Sequence, residues 1–329
     1  MPIELTVACW SYDRTRALAE GRVRPDGIAL TYLDLPPEET FFRMLRHREF
    51  DAAEMSLSSY VLTLDRPDPP FVAIPVFPSR AFRHSGVYVN AAAGIREPRD
   101  LIGRRVGTPE YQMTAGVWIR GIFADDHGVP VDGVTYCTGG QEQPGRDEKL
   151  ALDLPAEIRI ERIGPGRTLA VMLAAGEIDA LYAPRAPSTL RTHPDCVRRL
   201  FENFAEVERA YYRRTRIFPI MHTVVIRRDL YERHRWIAFS LYQAFCAAQA
   251  VTYRDLTETT ALKTMLPWLT AHVEETRREM GDDFWPYGVD PNRHVLTTFL
   301  RYSHEQGLAK RRWTPEDLFA PETLETVRI

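Results

Sequence analysis

The sequence predicts an α/β protein of two similar lobes with a helical C-terminal extension. Three observations carry that expectation. Strand-like and helix-like runs alternate through the first two thirds of the chain, an internal motif recurs, and after Arg227 nearly every apolar pattern has helical spacing. The 329 residues suffice for about two domains, since one takes ~100–200.

Residues 3–8 alternate apolar and polar side chains, as a half-buried strand does, and residues 28–33 repeat the pattern. Residues 40–48 carry helix-spaced apolar positions and lead into a strand at 50–54. Further strands are expected at 71–76, 86–89, 105–107, 133–136, 158–163, 179–182 and 221–226, with helices at 114–126 and 168–175 between them. The remainder reads as helices at 229–253, 257–262, 270–280, 291–306 and 315–319.

The internal motif is the most informative feature. Residues 44–52 (MLRHREFDA) and 172–180 (MLAAGEIDA) share the pattern M-L-x-x-x-E-[FI]-D-A, a helix end, a turn and a strand beginning at Asp-Ala. Each copy precedes a loop rich in Ser or Pro. A second echo places Ser11-Tyr12-Asp13-Arg14-Thr15 and Glu110-Tyr111-Gln112-Met113-Thr114 after the first strand of each half. Found in the same order, the two echoes favour paired α/β lobes.

Composition removes several classes of function. With 42 basic and 45 acidic residues, a net charge of −3 and both signs dispersed, the chain lacks the basic face of a nucleic-acid protein. At 44% hydrophobic it is not disordered, and no 18-residue apolar run marks a membrane span. Cys9, Cys137, Cys196 and Cys246 lie far apart without a CxxC pair, so free thiols are expected rather than disulfides or a zinc site. The 24 prolines outnumber the 19 glycines and cluster in short loops, as stiff corners do. Because the first residues already read as a strand, with no basic and apolar leader, a cytoplasmic location is expected.

Several segments carry a family resemblance: residues 8–15 (ACWSYDRT), 54–60 (EMSLSSY), 75–80 (PVFPSR), 107–114 (GTPEYQMT), 218–222 (FPIMH) and 285–288 (WPYG). They resemble 4,5-dihydroxyphthalate decarboxylase and its relatives over essentially the whole chain. Together with the paired lobes they imply a two-lobed fold of the type II periplasmic-binding-protein kind, with the ligand cleft between the lobes. The chain crossings are expected near residues 87–91 and 219–223, which gives lobe 1 as 1–90 plus 222–329 and lobe 2 as 91–221.

In such folds the ligand lies at the carboxyl ends of strands and the N-termini of helices, where free N–H groups receive anions. Ser56, Ser58 and Ser59 suit that role, as do Tyr111, Gln112 and Thr114, although Ser and Thr equally serve as plain helix caps. Arg80 and Arg83, just before the first crossing, and Arg14, after the first strand, offer planar guanidinium groups to a dicarboxylate. Of nine histidines, His84 beside that arginine pair and His222 on an apolar strand are the candidate proton donors. For His222 the plain alternative is a satisfied core histidine. Asp13 and Glu110 are candidate acceptors, and Trp10, Tyr12, Tyr111, Trp285 and Tyr287 are candidate ring-stacking residues.

No metal-ligand, dinucleotide, P-loop or nucleophile-elbow pattern occurs, so cofactor-free acid/base chemistry is expected. The implied activity is decarboxylation of a hydroxylated aromatic dicarboxylate, 4,5-dihydroxyphthalate to protocatechuate, by proton delivery to the ipso carbon. The implied partner is thus a small aromatic carboxylate, with neither nucleic acid nor membrane. The helical C-terminus offers a surface for a homo-oligomer. A second reading is a non-catalytic binding protein of an ABC-type uptake system or a sensor. A third is another cytosolic enzyme on this scaffold, of the thiamine-pyrimidine or futalosine-pathway type.

Overall fold

A computed structural model describes residues 2–324. Among them are eleven strands: β1 (Ile3–Cys9), β2 (Ile28–Asp34), β3 (Ala52–Ser56), β4 (Phe71–Ile74), β5 (Val87–Asn90), β6 (Arg105–Thr108), β7 (Thr135–Thr138), β8 (Arg159–Arg162), β9 (Ala180–Tyr182), β10 (Val197–Arg199) and β11 (His222–Arg227). The chain divides into two compact units. Unit 1 takes residues up to Arg80, His222–Leu296 and residues from Trp313; unit 2 takes Ala81–Met221 and Thr297–Arg312.

The first division falls after Arg80 rather than after residue 90, because β5 is hydrogen-bonded to β9 and β10 in the unit 2 sheet. Residues 297–312 belong to unit 2, not to the lobe expected to hold the whole C-terminus. The Gln306 side chain accepts from Arg120 Nε at 2.8 Å, and the Tyr302 hydroxyl donates to Asp125 at 2.7 Å. Gly121 makes room for the Tyr302 ring, which a Cβ there would meet at 2.2 Å.

Each unit is built on one sheet, and the two sheets have the same plan. Unit 1 has the order β2-β1-β3-β11-β4, and unit 2 the order β7-β6-β9-β5-β10 with β8 added outside β7. In each, the first three strands are parallel, and one antiparallel strand (β11 or β5) follows between the third and fifth. The central strand β3 is buried along its whole length, as a covered parallel strand is, whereas the outlying β8 is exposed along its own.

The repeated motif does the same work twice. Met44 and Met172 are core residues. The fifth position closes the helix in the left-handed region in both copies, as Arg48 at φ 49° and as Gly176 at φ 72°. The Asp51 carboxylate then accepts from the Thr6 amide at 2.9 Å, and Asp179 accepts from the Arg105 amide at 2.9 Å. Each aspartate thereby ties the start of its strand to the neighbouring parallel strand.

Two helical expectations are corrected. Residues 229–253 form two helices, Arg228–Arg233 and Trp236–Leu256, because His234 leaves helical geometry. Residues 257–262 form none: Thr257 ends the preceding helix, and the β-branched Thr257, Thr259 and Thr260 give little drive to start another. The helices Asp13–Ala19, Leu57–Leu64 and Phe204–Thr215 lie outside the expected elements. No helix among the described residues is long and apolar enough to cross a membrane.

Candidate active site

A cluster of chemically competent side chains sits in unit 1, at the carboxyl ends of β1 and β3. Pairing of β3 with antiparallel β11 sets Val224 opposite Glu54 and His222 opposite Ser56. Side chains alternate along a strand, so Glu54 and His222 share one face as diagonal neighbours. His222 Nδ1 lies 2.6 Å from Glu54 Oε1, across 168 residues of sequence. The Tyr12 hydroxyl donates to the same oxygen at 2.7 Å, and the Trp10 amide donates to Oε2 at 3.1 Å. The Cys9 thiol lies 3.6 Å from Oε2.

Glu54 is fully buried. An unpaired carboxylate there would cost several kcal/mol. Burial pushes its pKa up, but the His222 charge and the bonds from His222, Tyr12 and the Trp10 amide outweigh that and hold the carboxyl below its usual range. An ionised carboxylate only accepts, so the proton between the pair rides on His222 Nδ1. That leaves Nε2, which has no hydrogen-bond partner among the described residues. Phe41 stands edge-on to the imidazole at 4.9 Å, which fixes the ring. Burial and the neighbouring Glu54 charge raise the Tyr12 hydroxyl and the Cys9 thiol, so both remain protonated.

Arg14 completes this cluster. Its guanidinium is sandwiched between the Tyr12 and Trp285 rings, 4.2 Å from each centroid. Nε donates to the Pro78 carbonyl at 2.6 Å and Nη1 to Asp13 at 3.0 Å. A cavity of about 140 Å³ borders Arg14 and Trp285, with Tyr253 and Phe284 on its wall.

The chain is 43% identical to a 4,5-dihydroxyphthalate decarboxylase of Comamonas testosteroni over 328 residues, covering 99% of both proteins. It is 45% identical to one of Pseudomonas putida over 193 residues, 58% of this chain and 75% of that protein. The chain belongs to the 4,5-dihydroxyphthalate decarboxylase family. No family model matches it. Among solved structures it is similar in fold to the periplasmic aliphatic sulphonate binding protein SsuA of Escherichia coli, with a TM-score of 0.52 at 11% identity, covering 98% of this chain and 99% of that one. The alkanesulfonate-binding protein SsuA of Xanthomonas axonopodis pv. citri gives 0.51 at 12% identity, covering 98% of each. The fold is therefore that of the two-lobed periplasmic binding proteins.

In this member of the decarboxylase family the other candidate residues have varied surroundings. Asp13 is exposed and paired with Arg14. Ser56 caps the helix Leu57–Leu64 through the Ser59 amide at 3.4 Å, while Ser58 and Ser59 lie buried inside that helix. Arg80 is buried over Phe77 and donates to the Pro286 carbonyl at 2.7 Å and to Asn292, which braces the turn carrying Trp285 and Tyr287. The Trp285 indole donates to the Phe77 carbonyl at 2.8 Å; Tyr287 is buried, and among the described residues its hydroxyl has no hydrogen-bond partner.

Unit 2 holds the rest. Arg83 donates to the Met221 sulfur at 3.0 Å, and burial pushes its guanidinium down to about 10. His84 is packed against Phe201 and Tyr211 at 5.5 and 5.1 Å, and burial pushes its imidazole down to about 4. Glu110 is buried between Arg146 at 2.6 Å and Lys149 at 2.5 Å. The Tyr111 ring is a core ring, with Arg120 stacked 3.9 Å from its centroid. Gln112 and Thr114 are buried at the start of the helix Thr114–His127.

The residue the sequence reading passed over is Glu54. A signal was present: an acid in the middle of the apolar run Ala52-Ala53-Glu54-Met55 must be either exposed or partnered.

Proposed function

We propose that this chain decarboxylates 4,5-dihydroxyphthalate to protocatechuate, with His222 as proton donor. The observation that carries the assignment of chemistry is the pairing of buried Glu54 with half-buried His222, which leaves one imidazole nitrogen for a ligand. Kinship with the Comamonas and Pseudomonas decarboxylases supports the substrate.

In this reading the carboxylate to be lost and the hydroxyl para to it supply opposite ends of one electron flow. Electron release from the para oxygen raises charge at the ipso carbon, which takes the proton from His222 Nε2. The carbon–carbon bond to the carboxylate then breaks, its electron pair restores the ring, and carbon dioxide leaves. His222 ends neutral and recovers its proton from water. The protein's contribution is placement and a charge balance: buried Glu54 stabilises the protonated imidazole, and Tyr12 keeps Glu54 in position. A correctly placed acid of this kind is worth ~10²–10⁴-fold in rate. Arg14, braced by two aromatic rings, is positioned to hold the carboxylate that remains.

The test is to incubate purified protein with 4,5-dihydroxyphthalate and to measure protocatechuate and carbon dioxide in equal amounts. Saturable binding without either product sinks the reading and promotes a binding protein instead.

A further inference from the structure

The strongest unexplained feature lies in unit 2. Between β7 and β8 run twenty residues, 139–158, with neither helix nor strand. Loops longer than ~12–15 residues are uncommon inside compact domains and usually have work to do. Near its middle, the Glu148 carboxylate accepts from the Tyr111 amide through one oxygen. Its other oxygen accepts from the Gln112 amide at 3.3 Å and the Gln112 side-chain nitrogen at 2.9 Å. Three neutral N–H donors thus converge on one carboxylate.

A buried cation on the carbonyl side of the same peptide favours an anion at these donors. Arg120 is buried beneath them, and among the described residues no carboxylate pairs with it. It donates from Nη2 to the Tyr111 carbonyl at 2.7 Å, while its buried Nη1 has no hydrogen-bond partner. The carbonyl it binds and the Gln112 amide belong to the same peptide group, so the guanidinium polarises that N–H toward whatever accepts from it. Glu148 is a poor permanent tenant. Burial raises its carboxyl above the usual range, and the Glu110 charge adds to the rise, although the Gln112 and Tyr111 donors pull against it. The adjoining Arg146 and Lys149 spend their charge on Glu110 rather than on Glu148.

We propose that the Tyr111 and Gln112 N–H groups form a carboxylate-binding subsite, that Glu148 is its built-in occupant, and that a ligand carboxylate binds there by displacing Glu148. The 139–158 segment then acts as a strap that loosens around Glu148 on binding, while Arg146 and Lys149 keep it tied to Glu110. This rests on the reading of the ligand as an aromatic dicarboxylate, not on its decarboxylation.

Phthalate, which carries both carboxylates without the ring hydroxyls, separates the two questions. Its affinity is measured by calorimetry for the wild type, Glu148→Ala, Glu148→Gln and Gln112→Ala at one pH and ionic strength. Removing an internal competitor tightens binding by the fraction of time it held the site, roughly tenfold for Glu148→Ala. Gln112→Ala binds more weakly than the wild type. A purely structural Glu148 gives the opposite sign, so unchanged or weaker phthalate binding by Glu148→Ala overturns the proposal, as does absence of binding by every protein. Hydrogen exchange on the wild type guards against a misfolded variant. Exchange in residues 139–158 rises when phthalate is added, and a fall or no change refutes the strap. If phthalate displaces Glu148 while 4,5-dihydroxyphthalate is never turned over, the subsite stands and the decarboxylase reading fails.

Discussion

Glu54, on β3 beside the loop that follows β1, and Glu110, in the loop that follows β6, are both buried glutamates, and they have opposite partners. Glu110 is held by two permanent cations, Arg146 and Lys149. Glu54 is held by groups that share protons: an imidazole, a phenol and a thiol. The sheets beneath them follow one plan, so the scaffold does not decide which glutamate can take part in chemistry. The partners do. In the proposed mechanism the carboxylate locked to arginine and lysine serves as a strut, and the one locked to a histidine whose second nitrogen remains open supports proton transfer.

The sharpest way to break that contrast is His222→Ala. It is expected to lower kcat by ~10²–10⁴-fold, while His84→Ala stays near the wild-type rate for the folded fraction. A His222→Ala variant that retains most of its rate ends the assignment.

Acid titration of stability gives the next effect. The folded-state pKa of His84 is depressed from 6.5 to about 4, so its contribution is fully present above pH 6.5. It is lost as pH falls toward 4, where the unfolded chain binds the proton more readily. That is about 3 kcal/mol. In the variant His84→Phe the loss of Tm between those pH values shrinks; an unchanged slope shows that His84 is not the buried neutral group described here.

The two glutamates are then exchanged for glutamine separately. Glu110→Gln leaves two cations without their carboxylate and lowers stability by about 2–3 kcal/mol, somewhat under the ~3–5 of a fully buried pair because Arg146 touches water. Its kcat in the folded protein changes little. Glu54→Gln lowers kcat about tenfold or more, since the amide no longer supports a charged imidazole. Because the Glu54 pKa is depressed, its share of stability is present at neutral pH and lost as pH falls through the carboxyl range, and Glu54→Gln flattens that part of the curve. Equal kinetic effects from both variants would erase the distinction between strut and relay.

The smallest effect tests the repeat itself. Arg48 and Gly176 occupy the same left-handed position, which costs a non-glycine residue about 1 kcal/mol. Arg48→Gly is expected to raise Tm slightly, and a drop shows that the arginine side chain supplies something the second copy lacks.

Much of this scaffold was legible because its signals are local. Alternation marks β1 and β2, helical spacing marks the segments around Met44 and Met172, and the M-L-x-x-x-E-[FI]-D-A repeat encodes the helix end and the aspartate tie within nine residues. Short buried segments were harder. The helix Leu57–Leu64 follows a fully buried strand in one continuous apolar run, where period cannot separate the two. The assignment of residues 297–312 to unit 2 depends on Gln306 and Tyr302 finding Arg120 and Asp125, far away in sequence.

By itself the sequence determined the α/β class, the duplicated lobe plan and the supply of reactive side chains, because periodicity and motif spacing act over a few residues. The tertiary structure alone decided which of those side chains meet. Glu54 became the partner of His222 only when β3 and β11 paired across 168 residues, and burial then fixed its charge. His84 was buried among aromatic rings and Arg80 was spent on a turn for the same reason. Proton chemistry depends on distance and desolvation, and both are properties of the packed chain rather than of residue types.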